Sequence, residues 1–393
     1  MIPVTGIVHG KTPSRSRIVK ASESEHKLGV LVLNLTRTCP LRCVYCYASS
    51  VDKSLLEIDP HVLMRNVLDR LSLVKPRIVI LSGGEPFLYS KFWDVLDFLS
   101  KIKVSAVIST SGLVLDEEKV RKLVDHLISY VGISLDVPLQ DVEEKVRVGS
   151  NVEKTLHTLR LLKKYNITTG VRVTLTWPSL SAIEKMFDLC LQEQIDRLCI
   201  YHLVPSGRGY GTYSMLSVDE PVVHAKFLTF IVKLAEKNPE LDILLVTEPS
   251  DMLAVALLSS SSEDEYFRKI EHWKSRTRCS ALSGIVSISP EGRVHPCQFM
   301  NNVSIGNVYE KPLDEVLHVA RQGKIALPRC ENCRYVEYCR GCAIRLSYSG
   351  KMRDPACALY ALYLAVSKGK IRLEQWKIKI LQNWASTLYR EAL

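Results

Sequence analysis

Thr38-Cys39-Pro40-Leu41-Arg42-Cys43-Val44-Tyr45-Cys46-Tyr47 is the stretch that decides how this chain is built. Cys39, Cys43 and Cys46 place three thiolates in eight residues, enough to hold three irons of a cubane cluster and leave the fourth without a protein ligand. An iron open in that way can bind a chelating substrate. Zinc, the other common thiolate metal, closes a tetrahedron with four Cys or His ligands, usually from paired C-x2-C units, and no fourth ligand lies near along this segment. Residues 29–35 alternate and branch like a buried strand. The cysteines therefore sit on the loop leaving its carboxyl end, where parallel α/β folds place their active sites.

Working outward, Gly83-Gly84-Glu85-Pro86 follows a second apolar strand at residues 77–81. This segment and the cysteine trio, with Tyr45 directly before the last cysteine, resemble the signature of radical S-adenosylmethionine (SAM) enzymes. The resemblance implies a [4Fe–4S] cluster on Cys39, Cys43 and Cys46, and SAM bound with its amino group at Gly83, Gly84, Glu85 and Pro86. An ammonium there needs carbonyl and carboxylate acceptors, and glycines let the backbone approach closely.

Strand-like runs at residues 29–35, 77–81, 104–109, 130–135, 170–176 and 197–203 alternate with helical periodicity near 61–73, 91–101, 117–126, 152–165 and 181–192. Alternation of this kind implies a parallel sheet with right-handed crossovers, and the resemblance implies a partial (β/α)6 barrel. Strand ends are then cofactor candidates: Ser109 closes the third, Ser134-Leu135-Asp136 the fourth. By resemblance Ser134 and Arg147 hold the SAM carboxylate, a charge-assisted pairing. The family usually has glycine after Ser-Leu-Asp, where this chain has Val137-Pro138.

The chain has 393 residues, more than one hydrophobic core usually organises, with 47% hydrophobic and 24% charged residues. No stretch approaches the roughly 20 apolar residues needed to span a bilayer. The first 20 residues scatter Lys11, Arg15, Arg17 and Lys20 and lack the apolar core of a signal peptide. Twelve cysteines without a secretory signal point to a reducing, cytoplasmic compartment and to thiols as ligands rather than disulfides. The net charge of +10 is dispersed and not interleaved with aromatics, which argues against nucleic acid and suits a polyanionic small molecule.

A second cysteine group comprises Cys279, Cys297, the quartet Cys330, Cys333, Cys339 and Cys342, and finally Cys357. Zinc ribbons separate their two knuckles by about 15 to 20 residues, far more than here, and seven thiols exceed one tetrahedral site. The group resembles the SPASM domain, which binds auxiliary iron–sulfur clusters. By resemblance Cys330, Cys333, Cys339 and Cys357 enclose one cluster and Cys279, Cys297 and Cys342 hold another, three ligands for four irons. The family usually has three residues between the last two cysteines of the quartet; this chain has only Arg340 and Gly341. Cys190 and Cys199 read as buried small hydrophobes.

The expected architecture is α/β: an N-terminal extension (1–27), a radical SAM barrel (28–215), a bridging helical region (216–276), a small SPASM-like domain with little regular structure (277–360) and a helical tail (361–393). His126 and His224 read as core histidines. His202 ends the sixth strand at the chemical face, and the next loop, Ser206-Gly207-Arg208-Gly209, can offer a guanidinium to a carboxylate, so His202 and Arg208 are the catalytic candidates. That segment, with Cys-Arg-Gly-Cys-Ala-Ile-Arg-Leu ending at Leu346, resembles radical SAM enzymes of the alternative haem and dioxo-haem routes, which trim propionate or acetate from iron tetrapyrroles. The resemblance implies reductive cleavage of SAM, a 5'-deoxyadenosyl radical that abstracts hydrogen, and a one-electron donor such as ferredoxin or flavodoxin. The alternatives are a SPASM maturase forming thioether or carbon–carbon crosslinks in peptides, and a non-catalytic iron–sulfur or zinc scaffold. Leu359, Leu362, Ile371, Trp376, Ile380 and Trp384 recur at helical spacing, as in a helix packed on the body or lying on a membrane surface.

Overall fold

The computed structural model describes residues 1–13, 27–323 and 325–389. Its strands are β1 (Ile2–Pro3), β2 (Leu28–Asn34), β3 (Arg42–Cys43), β4 (Pro76–Ser82), β5 (Ala106–Thr110), β6 (Ile128–Ser134), β7 (Arg147–Val148), β8 (Thr169–Leu175), β9 (Arg197–His202), β10 (Asp242–Val246), β11 (Ile285–Ile288), β12 (Arg293–His295) and β13 (Gly306–Asn307). One sheet runs β1-β10-β9-β8-β6-β5-β4-β2-β11-β12-β13, and β3 pairs separately with β7. Every neighbour from β10 through β11 is parallel. The antiparallel strands β1, β12 and β13 extend the sheet at its two ends.

Runs such as Val-Leu-Val-Leu in β2 and Ile-Val-Ile-Leu in β4 are apolar on both faces because helices cover both sides of a parallel sheet. The crossover helices include Phe92–Lys101, Glu117–Leu123, Val152–Lys164 and Ile183–Gln192. Asp116 and Asn151 cap the second and third of these, each accepting a backbone N–H three residues on. The helix expected over 61–73 is instead a broken turn sequence, α then π (Leu63–Val67), 3₁₀ (Leu68–Arg70) and α again. The change of winding lets Leu63, Val67, Leu68, Leu71 and Val74 all reach the core.

The sheet is longer than the six strands expected. β10 lies in the region read as helical bridge, β1 belongs to the first residues of the chain, and β11 carries the sheet into the SPASM-like region alongside β2. Of the expected N-terminal extension, residues 14–26 lie outside the described residues. Helices Ala358–Ser367 and Gln375–Tyr389 pack back against the body, the first on helix Pro221–Lys237. Leu359, Leu362, Ile380 and Trp384 are buried there, so this chain itself covers the apolar face that a bilayer would have needed. No helix of the described residues is long and apolar enough to cross a membrane.

Candidate active site

The cysteine loop leaves β2 at the carboxyl edge of the sheet and is held from three sides. Cys39 N–H donates to Val51 O, and Val44 N–H to Val146 O. Cys43 pairs with Arg147 across β3 and β7. Gly207 and Arg208 close over the far end: a Cβ on Gly207 would lie 2.3 Å from Tyr47 O and 2.4 Å from Cys46 O, and its φ of +56° is left-handed. Burial pushes the Cys39 thiol up to about 12 and the Cys43 thiol up to about 11. Thiols in such a setting stay protonated until a metal displaces the proton, as a coordinated cation does. Three soft donors on one tight loop suit an iron–sulfur cluster.

A cavity of about 170 Å³ opens over this loop, lined by the three cysteines, Tyr45, Gly83, Gly84, Ser109, Ser134, Arg147, Arg172 and His202 among others. The glycines are required sterically. A Cβ on Gly84 would lie 2.2 Å from Thr38 O, and one on Gly83, at φ +128°, would lie 2.7 Å from Thr36 O. The strand-end turn thus lies flat against the segment leading into Cys39, with Gly84 N–H and Glu85 N–H bonded to Thr36 O and Thr38 O. This cradle fits SAM, whose amino group the resemblance placed here.

Several residues expected to touch the cofactor stand behind the cavity wall instead. The Glu85 carboxylate is fully buried and accepts from Thr110 Oγ1, Ser111 N–H and Ser111 Oγ, tying the end of β4 to that of β5. Pro86 is buried at the start of a 3₁₀ turn. Asp136 is buried and accepts from Tyr45 Oη and from Thr174 N–H at 2.7 Å, so it orients Tyr45. Glu85, Pro86 and Asp136 are absent from the cavity lining, because the chain turns them inward to satisfy neighbouring backbone and hydroxyl groups.

Arg147 does line the cavity and lies 2.9 Å from Glu143. Burial, and then the neighbouring charge of Asp136, lift the Glu143 carboxyl to about 7 despite Arg147. Val137 N–H donates to Glu143 at 2.8 Å, which settles the turn that lacks the family's glycine. Arg208 is corrected from catalytic candidate to brace: its guanidinium donates to Cys43 O and Ser50 O, and its backbone N–H to Cys46 O. Those bonds hold it on the cluster loop outside the cavity lining, with its Nη2 buried and unbonded.

His202 lines the cavity, and its Nε2 lies 2.7 Å from Asp251, whose other oxygen is 3.0 Å from His224 Nε2. All three side chains are buried, as the core reading of His224 anticipated. Burial alone would raise the Asp251 carboxyl, but the two imidazoles outweigh it and hold it below the usual range. The group joins β9 to the helices Pro221–Lys237 and Asp251–Leu258.

Arg172 on β8 was missed. It lines the cavity, its Nη1 donates to Ser109 Oγ, and its guanidinium lies 5.7 Å from the Tyr201 ring. Its Nε is buried without a hydrogen-bond partner, and no carboxylate pairs with it among the described residues. Gly132 makes room for it: a Cβ there would stand 2.5 Å from Arg172 Nε. An arginine at an inward position of an otherwise apolar parallel strand was the available signal.

In the second cysteine group the thiols fall into two sets. Cys279 acts electrostatically on Cys297 and on Cys342. Cys333 acts on Cys330, Cys330 and Cys333 act on Cys357, and Cys330 and Cys357 act on Cys339. The first set packs with Val204, Met300 and Phe299. The short Cys339-to-Cys342 spacing is met by consecutive left-handed residues, Arg340 at φ +66° and Gly341 at φ +72°. A Cβ on Gly341 would lie 2.6 Å from Cys330 Sγ. Beside it the wholly buried Arg345 pairs with Glu248 and, at 2.8 Å, with Asp354, which in turn accepts from Cys342 N–H.

Comparison with known proteins agrees with this geometry. The radical SAM superfamily model matches residues 33–190, and the iron–sulfur cluster-binding SPASM model matches residues 279–343. Fe-coproporphyrin III synthase of Methanosarcina barkeri is 29% identical over 343 residues, covering 81% of this chain and 84% of that protein. Pre-heme d1 synthase of Dinoroseobacter shibae is 25% identical over 354 residues, covering 84% of this chain and 86% of that protein. The solved structure of Streptococcus suis SuiB bound to its precursor peptide SuiA superposes with a TM-score of 0.64 at 18% identity, over 84% of this chain and 76% of SuiB.

Proposed function

We propose that this chain, a radical SAM enzyme with a SPASM iron–sulfur domain, trims carboxylate side chains from an iron tetrapyrrole. SAM and iron–sulfur clusters are its cofactors. The observation that carries the substrate class is Arg172, a guanidinium in the cavity wall with no acidic partner among the described residues, in a chain whose relatives include Fe-coproporphyrin III synthase and pre-heme d1 synthase. A buried cation without a counter-charge is costly unless a ligand supplies one. The likeness to SuiB is one of fold and carries no substrate assignment.

When bound, the cluster on Cys39, Cys43 and Cys46 and its SAM supply one-electron cleavage of a sulfonium and hydrogen abstraction from unactivated carbon. The chain's own residues do the rest. Gly83 and Gly84 let the amino end of SAM reach the backbone, and Ser134 and Arg147 receive its carboxylate. Tyr45, fixed by Asp136, walls the loop. Arg172, aimed by Ser109 and Tyr201, is left to hold a substrate carboxylate. Cys330, Cys333, Cys339 and Cys357 would hold one auxiliary cluster, and Cys279, Cys297 and Cys342 another.

The test is mass spectrometry of iron tetrapyrroles incubated anaerobically with the reconstituted enzyme, SAM and dithionite. Loss of carbon dioxide from a propionate, leaving vinyl, or replacement of acetate by methyl is the expected result. Unchanged tetrapyrroles alongside continuing SAM cleavage would overturn the substrate assignment.

A further inference from the structure

A turn from the SPASM region reaches into the SAM cavity. Gln298 and Phe299, directly after Cys297, line that cavity together with Arg172 and Tyr201 of the barrel. Beyond β12 the chain doubles back, with Met300 N–H donating to Cys297 O at 3.0 Å, so Gln298 and Phe299 are the two central residues of a tight turn. The base of this loop is closed where His295 Nδ1 lies 2.7 Å from Val303 O.

The turn is anchored on both flanks. Met300 is buried against Val204, Cys342 and Ile344, and Asn301 Nδ2 donates to Tyr47 O at 2.7 Å, one residue beyond Cys46. The backbone N–H groups of Gln298 and Phe299 are spent on the Cys297 thiol. That leaves the two side chains for the cavity. Turn centres usually carry Gly, Asn, Asp or Ser facing water, whereas here an aromatic stands half-buried, its ring edge-on to Tyr47 with centroids 5.3 Å apart and planes at 77°. Tyr47 is in turn bonded to Asn34 Oδ1 at 3.0 Å, and Arg172 and Tyr201 both act on its hydroxyl electrostatically. Phe299, Tyr47, Arg172 and Tyr201 thus form one connected wall, and among the described residues the Gln298 amide beside it has no hydrogen-bond partner.

We propose that Phe299 and Gln298 select the substrate: Phe299 is the platform for the pyrrole ring that bears the reacting side chain, and Gln298 offers its amide N–H to a carboxylate on that ring, beside the one held by Arg172. The assignment rests on the tetrapyrrole reading above. A flat π system gains from an aromatic neighbour in stacked or edge contact beyond what its buried area supplies. An amide adds a donor without a second buried charge to desolvate. At about 170 Å³ the cavity is smaller than the roughly 300–1,000 Å³ that enclose a whole small-molecule ligand, so it admits one edge of a macrocycle and not its full body. Contacts at that edge then decide which side chain is presented. The barrel supplies the cluster loop, the glycine cradle and Arg172, and the SPASM region completes the wall against which the substrate lies. Loops fixed on a rigid scaffold commonly carry such recognition.

The experiment is fluorescence titration of the cluster-loaded, full-length protein with metal-free coproporphyrin III in the presence of SAM, alongside equilibrium dialysis of SAM and an iron assay, for wild type, Phe299→Leu, Phe299→Tyr and Gln298→Ala. Phe299→Leu keeps the apolar bulk and loses the ring, so the porphyrin Kd should rise about fivefold more than the SAM Kd, the worth of an aromatic contact. Phe299→Tyr restores the ring and should bring the porphyrin Kd back to within about twofold of wild type, while Gln298→Ala should raise it about threefold, the worth of one neutral hydrogen bond. A porphyrin Kd left at the wild-type value by Phe299→Leu, or porphyrin and SAM Kd values rising together, would overturn the inference and leave the tetrapyrrole reading intact. Failure of wild type to bind the porphyrin at all would overturn that reading and this proposal with it. Should Phe299→Leu lose iron, Gln298→Ala carries the same comparison, since its side chain holds no neighbour among the described residues: an unchanged porphyrin Kd there overturns the inference, and a rise confined to the porphyrin supports it.

Discussion

Replacing Arg172 with methionine separates the two kinds of carboxylate that this active site must hold. In the free enzyme the guanidinium keeps one bond to Ser109 and a ring contact with Tyr201, with its Nε unbonded. Methionine fills the same space beside Gly132 without a charge to desolvate, so the free protein should be unchanged or up to about 2 kcal/mol more stable. What is lost is one charge-assisted bond to ligand, about 1.5–3 kcal/mol, which amounts to roughly 10- to 150-fold in apparent affinity for the tetrapyrrole. Uncoupled SAM cleavage should stay at the wild-type rate because Ser134 and Arg147 are untouched. The assay pairs substrate-dependent turnover with 5'-deoxyadenosine release in the absence of substrate, and adds a melting curve. A substrate KM within twofold of wild type would refute the reasoning. So would uncoupled SAM cleavage falling as far as turnover, since Arg172 would then serve the cofactor.

Other outcomes follow from the same geometry. Gly84→Ala drives a Cβ to 2.2 Å from Thr38 O, so SAM cleavage should vanish while the total iron of the protein is retained; cleavage above a tenth of wild type would show that the turn can yield. Gly341→Ala places a methyl 2.6 Å from Cys330 Sγ at a left-handed φ, and should remove auxiliary iron while sparing the cluster on Cys39, Cys43 and Cys46, as read by Mössbauer spectroscopy. Arg345→Ala leaves Glu248 and Asp354 buried without their shared cation, a loss of about 3–5 kcal/mol that should lower the unfolding midpoint well beyond any single surface-charge variant.

The cysteine spacing and the strand periodicity were legible because both are local. Three thiols in one loop and apolar runs of parallel strand length need no partner to be recognised, and the six expected strands appear within two residues of their expected ends. β10, β1 and β11 were not legible as barrel-sheet strands. Each is short, and each is a strand only because a neighbour pairs with it: Asp242–Val246 with β9, Ile2–Pro3 with β10, Ile285–Ile288 with β2.

The site shows the same division between local and long-range information. Gly83 and Gly84 give the close approach their type implies, but to Thr36 O and Thr38 O of this chain, because close approach is a property of the residue itself. Glu85, Asp136 and Arg208 have side chains that reach away from their own segment, and the partner decides their role: Ser111 for Glu85, Tyr45 and Thr174 for Asp136, Cys43 and Ser50 for Arg208. Arg172 is the converse. Its role follows from the carboxylate it lacks, which is visible only once Ser109, Gly132 and Tyr201 from three other strands are seen around it. Arg208, with two bonds from its guanidinium to the cluster loop, holds that loop in place, whereas Arg172, with one bond to Ser109 and no carboxylate among the described residues, is the cavity cation left to meet a carboxylate from outside.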